Sequence, residues 1–381
     1  MKIKIIRACT VADSIGFFSG MMPDLMKKYE VCVLSSPGTL WSDIMKYGDA
    51  VKRIEVPMER HISPFRDLKS LIKIIHAFHR EKPVMVHSMT PKAGLLCMLA
   101  ARLTNVPVRV HTFTGLVFPT AKGLTKRILM ATDWLTCACA THIIPEGEGV
   151  KKDLVNHKIT NKPLKVLGYG NCQGIDLNKF NPTLPDTLAQ AENIRKKEVF
   201  TFITIGRVVG DKGINELVSA FSRLNSEISE TRLLLVGGYE ANLDPLAPET
   251  MTEIENNEAI EAVGQQNDVR PWLMAADCAV LASYREGFPN VVIEAGAMGL
   301  PQIVTNINGA NEIIVEGKNG TIVPSRDVEA LYTTMKRMVN DTVWRAELAS
   351  NARPMVASRY EQGYVRRCLY DFYDEILVNH K

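Results

Sequence analysis

Short apolar runs recur along the chain and alternate with amphipathic segments whose apolar residues follow a helical period. The apolar runs predict strands at Ile3–Ile6, Tyr29–Leu34, Pro83–His87, Pro107–His111, Ala140–Ile144, Phe200–Ile205, Arg232–Val236, Ala279–Ala282 and Gln302–Thr305. The amphipathic segments predict helices at Asp67–Arg80, Lys92–Leu103, Ile214–Leu224 and Val291–Met298. Apolar strands that alternate with helices are typical of parallel sheets covered on both faces. The pattern therefore predicts an α/β fold.

A polar segment interrupts this alternation near the middle of the chain. Residues 181–198, NPTLPDTLAQAENIRKKE, contain two prolines and precede a new apolar run, VFTFITIG. Linkers between domains often have this composition, and 381 residues suffice for two domains. We therefore predict an N-terminal domain over residues 1–183 and a C-terminal domain over 199–361. A last amphipathic segment, about 362–381, predicts a helix that packs back on the first domain.

Composition and cysteine usage indicate a globular protein of the cytoplasm. Apolar residues make up 46% of the chain and charged residues 23%. The eight cysteines are scattered, mostly in apolar runs, without a CxxC pair or zinc-ligand spacing, which indicates reduced thiols. The sequence contains neither an uninterrupted signal-peptide core nor 18 consecutive apolar residues. We therefore expect a protein that is neither secreted nor membrane-spanning.

Charge is divided unevenly along the chain. Residues 1–180 carry 26 Lys and Arg against 14 Asp and Glu, whereas the remainder carries 19 against 28. A basic first half suggests an anionic partner, such as a phospholipid surface, a phosphorylated acceptor or nucleic acid, although a solvated basic surface is the alternative. Several cations of this half stand beside apolar residues, in segments that either rest on anionic lipid or form ordinary core helices: Arg60, Arg66, Lys122, Lys126 and Arg127.

A glycine-rich segment, GRVVGDKGINEL, follows the predicted strand Phe200–Ile205 and leads into a helix. Backbone N–H groups at such a turn, the positive end of the helix dipole, and the side chains of Arg207 and Lys212 all suit a phosphate group. The glycine spacing fits neither a Walker loop nor GxGxxG, so a plain strand–turn–helix is the alternative.

The segment REGFPNVVIEAGAMGLP holds Glu286 in a Gly/Pro loop and Glu294 on the helix that follows. Carboxylates accept hydrogen bonds from hydroxyl groups and repel phosphates. A ligand with a diphosphate, a ribose and a sugar would use both this segment and the glycine-rich one, so the pair favours a nucleotide-sugar. In the structural alternative, Glu286 is solvated and Glu294 pairs with a lysine.

Together these segments resemble family 4 glycosyltransferases of the GT-B fold. In the second half the resemblance rests on Gly206-Arg207…Lys212-Gly213, on Glu286-Gly287-Phe288-Pro289…Glu294-Ala295 and on VTNINGANEIIVEGKNGTIVP. The first half is similar to the capsule and lipopolysaccharide branch through HSMTPKAGLLCMLAARLTNVP, VHTFTGLVFPT and GNCQGIDLNKFNP. This resemblance covers nearly the whole chain. It implies two Rossmann-like domains with parallel sheets that face a central cleft.

The resemblance also implies roles for individual residues. Arg207 and Lys212 would clamp the donor diphosphate, Glu286 would bind the donor sugar, and Glu294 would bind the ribose. Further contacts are implied on the donor side at Gly16, Gly287, Phe288, Pro289, Asn290 and Val291, and on the acceptor side at Lys92, His111 and Thr114. Thr114 stands where many relatives have a histidine, so His111 either substitutes for that histidine or is a structural residue.

The function implied is retaining transfer from a nucleotide diphospho-sugar, UDP-linked rather than GDP-linked, to a polyprenyl-diphosphate-linked or other saccharide of a surface polysaccharide. Such an enzyme needs neither a metal nor another cofactor, and it would work in the cytoplasm, on the inner membrane face. One alternative is a UDP-sugar 2-epimerase of the same fold, for which the first half offers His87 and His111. Another is a non-catalytic protein that binds sugar nucleotides or other anions. A dinucleotide dehydrogenase would need GxGxxG, and a single-stranded nucleic-acid platform would need interleaved aromatic residues.

Overall fold

The computed structural model describes residues 2–59, 61–240 and 244–380. They form two compact units: the first contains the described residues up to Gln173 and those from Gly363 onward, and the second contains Gly174–Gln362. Arg60, one of the cations expected near lipid, lies outside the described residues.

A six-stranded parallel sheet with the strand order β3-β2-β1-β4-β5-β6 forms the centre of the first unit. Ile5 of β1 pairs with Val31 of β2 on one side and with Met85 of β4 on the other. The chain therefore adds β2 and β3 on one side of β1 and then adds β4, β5 and β6 on the other side. The strands are β1 (Ile3–Ala8), β2 (Tyr29–Ser35), β3 (Val51–Glu55), β4 (Met85–Met89), β5 (Val108–Phe113) and β6 (His142–Pro145). The helices are α1 (Gly16–Ser19), α2 (Met22–Lys28), α3 (Ser42–Met45), α4 (Pro64–Glu81), α5 (Pro91–Leu103), α6 (Gly123–Cys139) and α7 (Glu148–Asn156).

The second unit repeats this architecture with a parallel sheet of order β12-β11-β10-β7-β8-β9. Its strands are β7 (Phe200–Ile205), β8 (Thr231–Val236), β9 (Ile260–Gly264), β10 (Cys278–Leu281), β11 (Gln302–Thr305) and β12 (Thr321–Val323). Its helices are α8 (Pro185–Ile194), α9 (Ile214–Glu227), α10 (Pro248–Asn256), α11 (Arg270–Ala275), α12 (Asn290–Ala297), α13 (Ala310–Ile313), α14 (Val328–Asn340) and α15 (Thr342–Tyr360). Separate apolar clusters cover the two faces of each sheet, which confirms the predicted α/β fold.

The second unit begins earlier than the sequence predicts. Ile175 donates its N–H to the Tyr360 carbonyl at 2.8 Å and accepts from the Gln362 N–H at 2.9 Å. These bonds attach residues 174–183, which we expected in the first domain, to the end of α15. The expected linker contains α8, where Pro185 occupies the first turn. A proline at that position starts a helix rather than breaking one, because its missing N–H would have no helical partner there.

The last helix, α16 (Gln362–Ile376), returns to the first unit. Leu369, Phe372 and Tyr373 are buried in the apolar cluster on one face of the first sheet. The Tyr373 hydroxyl contacts Arg7 Nη1 at 2.8 Å and His87 Nδ1 at 2.5 Å, so α16 is fixed to β1 and β4 by polar contacts as well. None of the helices among the described residues combines the length and the apolar content needed to cross a bilayer.

Candidate active site

The glycine-rich loop leaves the end of β7 and enters α9. Gly210–Lys212 form a single 3-10 turn, and Gly213 follows with a φ of 68°. A Cβ atom on Gly213 would lie 2.0 Å from the carbonyl oxygen of Ala282, just after β10. Two separate reasons therefore require glycine at position 213: the backbone is left-handed there, and the carbonyl of Ala282 leaves no room for a side chain. This approach brings Lys212 beside the segment that carries Glu286.

Lys212 and Glu286 form an ion pair, with 2.5 Å between Nζ and Oε1. Ser283 Oγ donates to the same carboxylate oxygen at 2.9 Å, and Thr305 Oγ1 donates to the Ser283 carbonyl at 2.6 Å. The Lys212 and Glu286 side chains are 21% and 18% exposed, so water screens their attraction less than that of a surface pair. The site thus holds a cation and a carboxylate within one hydrogen bond of each other.

Among the residues that the structure describes, Arg207 contacts two carboxylates, those of Glu240 and Asp211, and does not pair with Glu286. Its Nη1 lies 2.8 Å from Glu240 Oε2, and its Nη2 lies 3.8 Å from Asp211 Oδ1. The hydrogen bond with Glu240 is the main cause of the raised pKa of Arg207. Asp211 also pairs with Arg285 at 3.2 Å, so one carboxylate lies between two guanidinium groups.

Glu294 lies on α12, where its side chain is partly buried. Burial raises the pKa of its carboxyl group, and attraction by Lys179 opposes that effect. Within the described residues, no hydrogen bond or ion pair reaches this carboxyl, so the expected alternative of a lysine partner in direct contact is not observed. A desolvated carboxyl gains most from a ligand that supplies hydroxyl donors.

The segment Gly287–Val291 leads into α12. Phe288 is buried, and its ring packs edge-on against Tyr360 with 5.6 Å between centroids. Gly309 approaches from the segment after β11, where a Cβ atom would lie 2.5 Å from the Gly287 carbonyl oxygen. Phe288 therefore fixes the segment through packing, whereas Gly287, Asn290 and Val291 are only partly buried.

Two of the first-unit candidates are engaged in structural contacts. Lys92 Nζ lies 2.7 and 2.8 Å from the two carboxylate oxygens of Asp67, which ties α5 to α4. His111 is buried, and its Nδ1 lies 2.9 Å from Ser88 Oγ. A Cβ atom on Gly94 would lie 2.4 Å from the His111 ring. Burial lowers the pKa of His111 to about 3. His111 is thus a buried packing residue, which favours the structural one of the two roles that the sequence left open for it.

The other two first-unit candidates are more accessible. Thr114 directly follows β5 and is partly exposed. Gly16 begins α1, and its carbonyl accepts a hydrogen bond from Gln173 Nε2 at 2.9 Å. Apart from its two chain neighbours and the backbone of its own helix, no heavy atom of the described chain lies within 4 Å of a Cβ atom added there. Both positions are therefore retained as candidates.

Sequence reasoning missed the residues that hold the site together. Asp211 and Arg285 directly adjoin Lys212 and Glu286, and Ser283 precedes Glu286 by three positions, so their position in the sequence was an available signal. Glu240 lies in another segment, 33 residues after its partner Arg207, and nothing in its surrounding sequence indicated the contact.

Comparison with known proteins identifies the family. A family model described as glycosyl transferases group 1 matches residues 199–341, and one described as a glycosyl transferase 4-like domain matches residues 25–170. Over 379 residues the chain is 32% identical to the capsular polysaccharide biosynthesis glycosyltransferase CapM of Staphylococcus aureus. That alignment covers 98% of this chain and 97% of CapM. This chain is a family 4 glycosyltransferase.

The glycosyltransferase is similar to a second whole-length relative and to a solved structure. It is 29% identical over 358 residues to the UDP-Gal:alpha-D-GlcNAc-diphosphoundecaprenol alpha-1,3-galactosyltransferase of Escherichia coli, covering 92% of this chain and 89% of that enzyme. The crystal structure of Anabaena Alr3699/HepE in complex with UDP matches it with a TM-score of 0.81 and 17% identity, over 98% of this chain and 100% of that one. This structural similarity establishes the shared GT-B fold.

Proposed function

We propose that this glycosyltransferase moves a sugar from a UDP-sugar, with retention of anomeric configuration, to a polyprenyl-diphosphate-linked or other saccharide of a surface polysaccharide. The contact between Lys212 and Glu286 carries the proposal. It pairs a cation suited to a diphosphate with a carboxylate suited to sugar hydroxyls, and these two groups are adjacent in a nucleotide-sugar. The names of the CapM and galactosyltransferase relatives support the polysaccharide, the UDP-sugar and the lipid-linked acceptor, and HepE was solved with UDP.

The proposed reaction depends on charge stabilisation. When the bond between the sugar and the diphosphate breaks, negative charge develops on the diphosphate, and Arg207 and Lys212 would stabilise it. Glu286 would hold the sugar through a hydroxyl, and Glu294 would accept hydrogen bonds from the ribose. The acceptor hydroxyl would attack from the face that the diphosphate leaves and transfer its proton to that diphosphate. The cations belong to the chain itself, so we propose a reaction without a metal ion.

We also propose that the enzyme meets its acceptor on an anionic membrane surface. Phe65, Leu68 and Ile72 of α4 are 91%, 56% and 47% exposed, and Lys69 and Lys73 lie among them at helical spacing. Both α4 and α6 pack against α5, and α6 adds exposed Leu124, Ile128 and Trp134. Apolar side chains interleaved with cations favour the interface of an anionic bilayer.

The 2-epimerase alternative gains nothing from the first unit. His87 is buried and engaged at both ring nitrogens, by the Tyr373 hydroxyl at 2.5 Å and by Thr112 Oγ1 at 2.7 Å. Burial lowers the pKa of His87 well below its usual value, as it does for His111. Two neutral, enclosed imidazoles are poor acid–base groups for a sugar nucleotide.

A binding and transfer assay tests the proposal. We expect UDP to raise the unfolding temperature more than GDP or ADP does, with EDTA present, because ligand binding stabilises the folded state. A UDP-sugar that gives a larger shift would then be offered with a polyprenyl-diphosphate-linked saccharide, and the anomeric proton of the product would be followed by NMR. No shift with any nucleotide would contradict the donor assignment, and inversion would contradict the mechanism.

A further inference from the structure

The proposed diphosphate site is internally neutralised. Its two proposed cations each contact a carboxylate: Arg207 contacts Glu240 at 2.8 Å, and Lys212 contacts Glu286 at 2.5 Å. A third cation beside them, Arg285, pairs with Asp211 at 3.2 Å. The three formal positive charges are therefore balanced by three negative ones. A diphosphate gains the full attraction of these cations only if it displaces some of the carboxylates.

Glu240 differs from the other two carboxylates. Glu286 adjoins the proposed sugar site, and Asp211 is fixed within the loop because its N–H and carbonyl bond to Asp244 and Tyr284. Glu240 lies beyond the end of β8, and its side chain is 38% exposed. Its carboxylate contacts only Arg207 among the residues that the structure describes. Among the described residues, Arg207 is thus the one partner from which a ligand would have to displace this carboxylate.

We infer that Glu240 is an internal counter-ion that competes with the donor and product diphosphates for Arg207. This inference rests on the proposed function. The competition affects binding of the product diphosphate more than binding of the donor. Release of the sugar frees a terminal phosphate whose second ionisation has a pKa near 6, so the product carries more negative charge than the donor and depends more on Arg207. When Glu240 pairs with Arg207 again, the dianionic phosphate loses its contact with Arg207, which is one of the contacts that hold the product in the site. Glu240 therefore lowers the affinity for UDP and favours product release.

The experiment is a double-mutant cycle with UDP as the probe. Isothermal titration with EDTA would give the UDP dissociation constant of the wild type, Glu240→Gln, Arg207→Ala and the double variant. We expect Glu240→Gln to bind UDP about two- to fivefold more tightly, the range of a partly exposed ion pair, and to be more strongly inhibited by UDP during turnover. The gain should be smaller in the Arg207→Ala background. Glu329→Gln, which removes a carboxylate paired with Arg223 in the same unit, is the matched control.

Several outcomes would overturn the inference. Unchanged UDP affinity would show that Glu240 does not compete, and weaker binding would show that it orients Arg207 for the ligand. An equal gain with and without Arg207 would assign the effect to long-range repulsion, which 0.5 M salt suppresses because the screening length is then only about 4 Å. If the wild type binds no UDP, the proposed function fails and this inference fails with it. Thermal unfolding of each variant verifies that it is folded.

Discussion

Lys212 Nζ lies 2.5 Å from Glu286 Oε1, although the two residues are 74 positions apart. The contact exists because the glycine-rich loop lies directly against the end of β10. Gly213 permits this approach, and the Tyr284 N–H donates to the Asp211 carbonyl at 2.9 Å. Two motifs that the sequence presents separately are therefore parts of one site.

Glu286→Gln is expected to reduce transfer by about 100-fold or more, because a carboxylate that acts on the reacting sugar contributes several kcal/mol in the transition state. Stability should fall by only about 1 kcal/mol, because glutamine loses the ion pair with Lys212 but keeps an acceptor oxygen for Ser283 Oγ. Initial rates and urea unfolding measure the two effects. Glu227→Gln, which breaks a Lys–Glu pair of 2.6 Å with Lys336, is the matched control. Turnover close to that of the control would remove Glu286 from the mechanism.

Arg207→Ala is expected to weaken UDP binding by at least about tenfold, because a charge-assisted contact contributes about 1.5–3 kcal/mol. Isothermal titration measures the change. Arg223→Ala is the control, since Arg223 also pairs with a glutamate in the same unit, at 2.5 Å from Glu329. If both variants bind UDP equally well, Arg207 does not hold the diphosphate.

Gly213→Ala is expected to destabilise the second unit, because the new Cβ would lie 2.0 Å from the Ala282 carbonyl. Gly317→Ala is the control for backbone strain alone: Gly317 has a φ of 71° with nothing within 4 Å of its Cβ position. We expect the control to lose about 1 kcal/mol from the left-handed backbone and Gly213→Ala to lose at least about 2 kcal/mol more through steric overlap. Urea unfolding compares them, and equal losses would show that the loop moves away freely.

The fold was largely predictable because the central strands are buried on both faces. Such strands contain continuous apolar runs that stand out in the sequence, for example residues 233–236 within β8. The prediction omitted three strands: Val51–Glu55, Ile260–Gly264 and Thr321–Val323. All three lie at sheet edges, where one side of the strand is unpaired and the sequence is short or mixed with polar residues. Edge strands therefore carry a weaker signal.

The candidate site was predictable only in part, for a different reason. Lys212 and Glu286 belong to local motifs with recognisable chemistry, whereas the Arg207–Glu240 contact depends on how two loops converge after β7 and β8. His111 shows the same dependence, because the sequence left two roles open for this histidine and its burial against Gly94 favours the structural one. The Arg207–Glu240 contact and the burial of His111 both depend on the tertiary surroundings of the side chain, which residue type alone does not reveal.

The exposed apolar face of α4 makes membrane binding testable. Phe65→Ser combined with Leu68→Ser is expected to reduce binding to phosphatidylglycerol-containing vesicles by at least about tenfold, because each lost side chain removes apolar burial in the interface. Binding should also weaken as salt increases. Co-sedimentation measures both effects. Val343→Ser, which removes an exposed apolar side chain from the second unit, is the control. Absent or salt-insensitive binding by the wild type would contradict the membrane proposal.

Glu294 is expected to make stability depend on pH in a direction opposite to that of most paired carboxylates. Burial raises its pKa in the folded state, so the folded protein holds this proton more tightly than the unfolded chain does. The free energy of unfolding must then fall as pH rises from the unfolded pKa through the folded one. Glu294→Gln removes this cost, so the variant should match the wild type near pH 4 and be more stable at pH 8. It should nevertheless bind UDP more weakly, because an amide presents only one acceptor oxygen to the ribose. Urea unfolding at both pH values measures the stability, and Glu258→Gln is the control at an exposed position. If the stability difference between Glu294→Gln and the wild type is the same at both pH values, the pKa of Glu294 is not raised by burial.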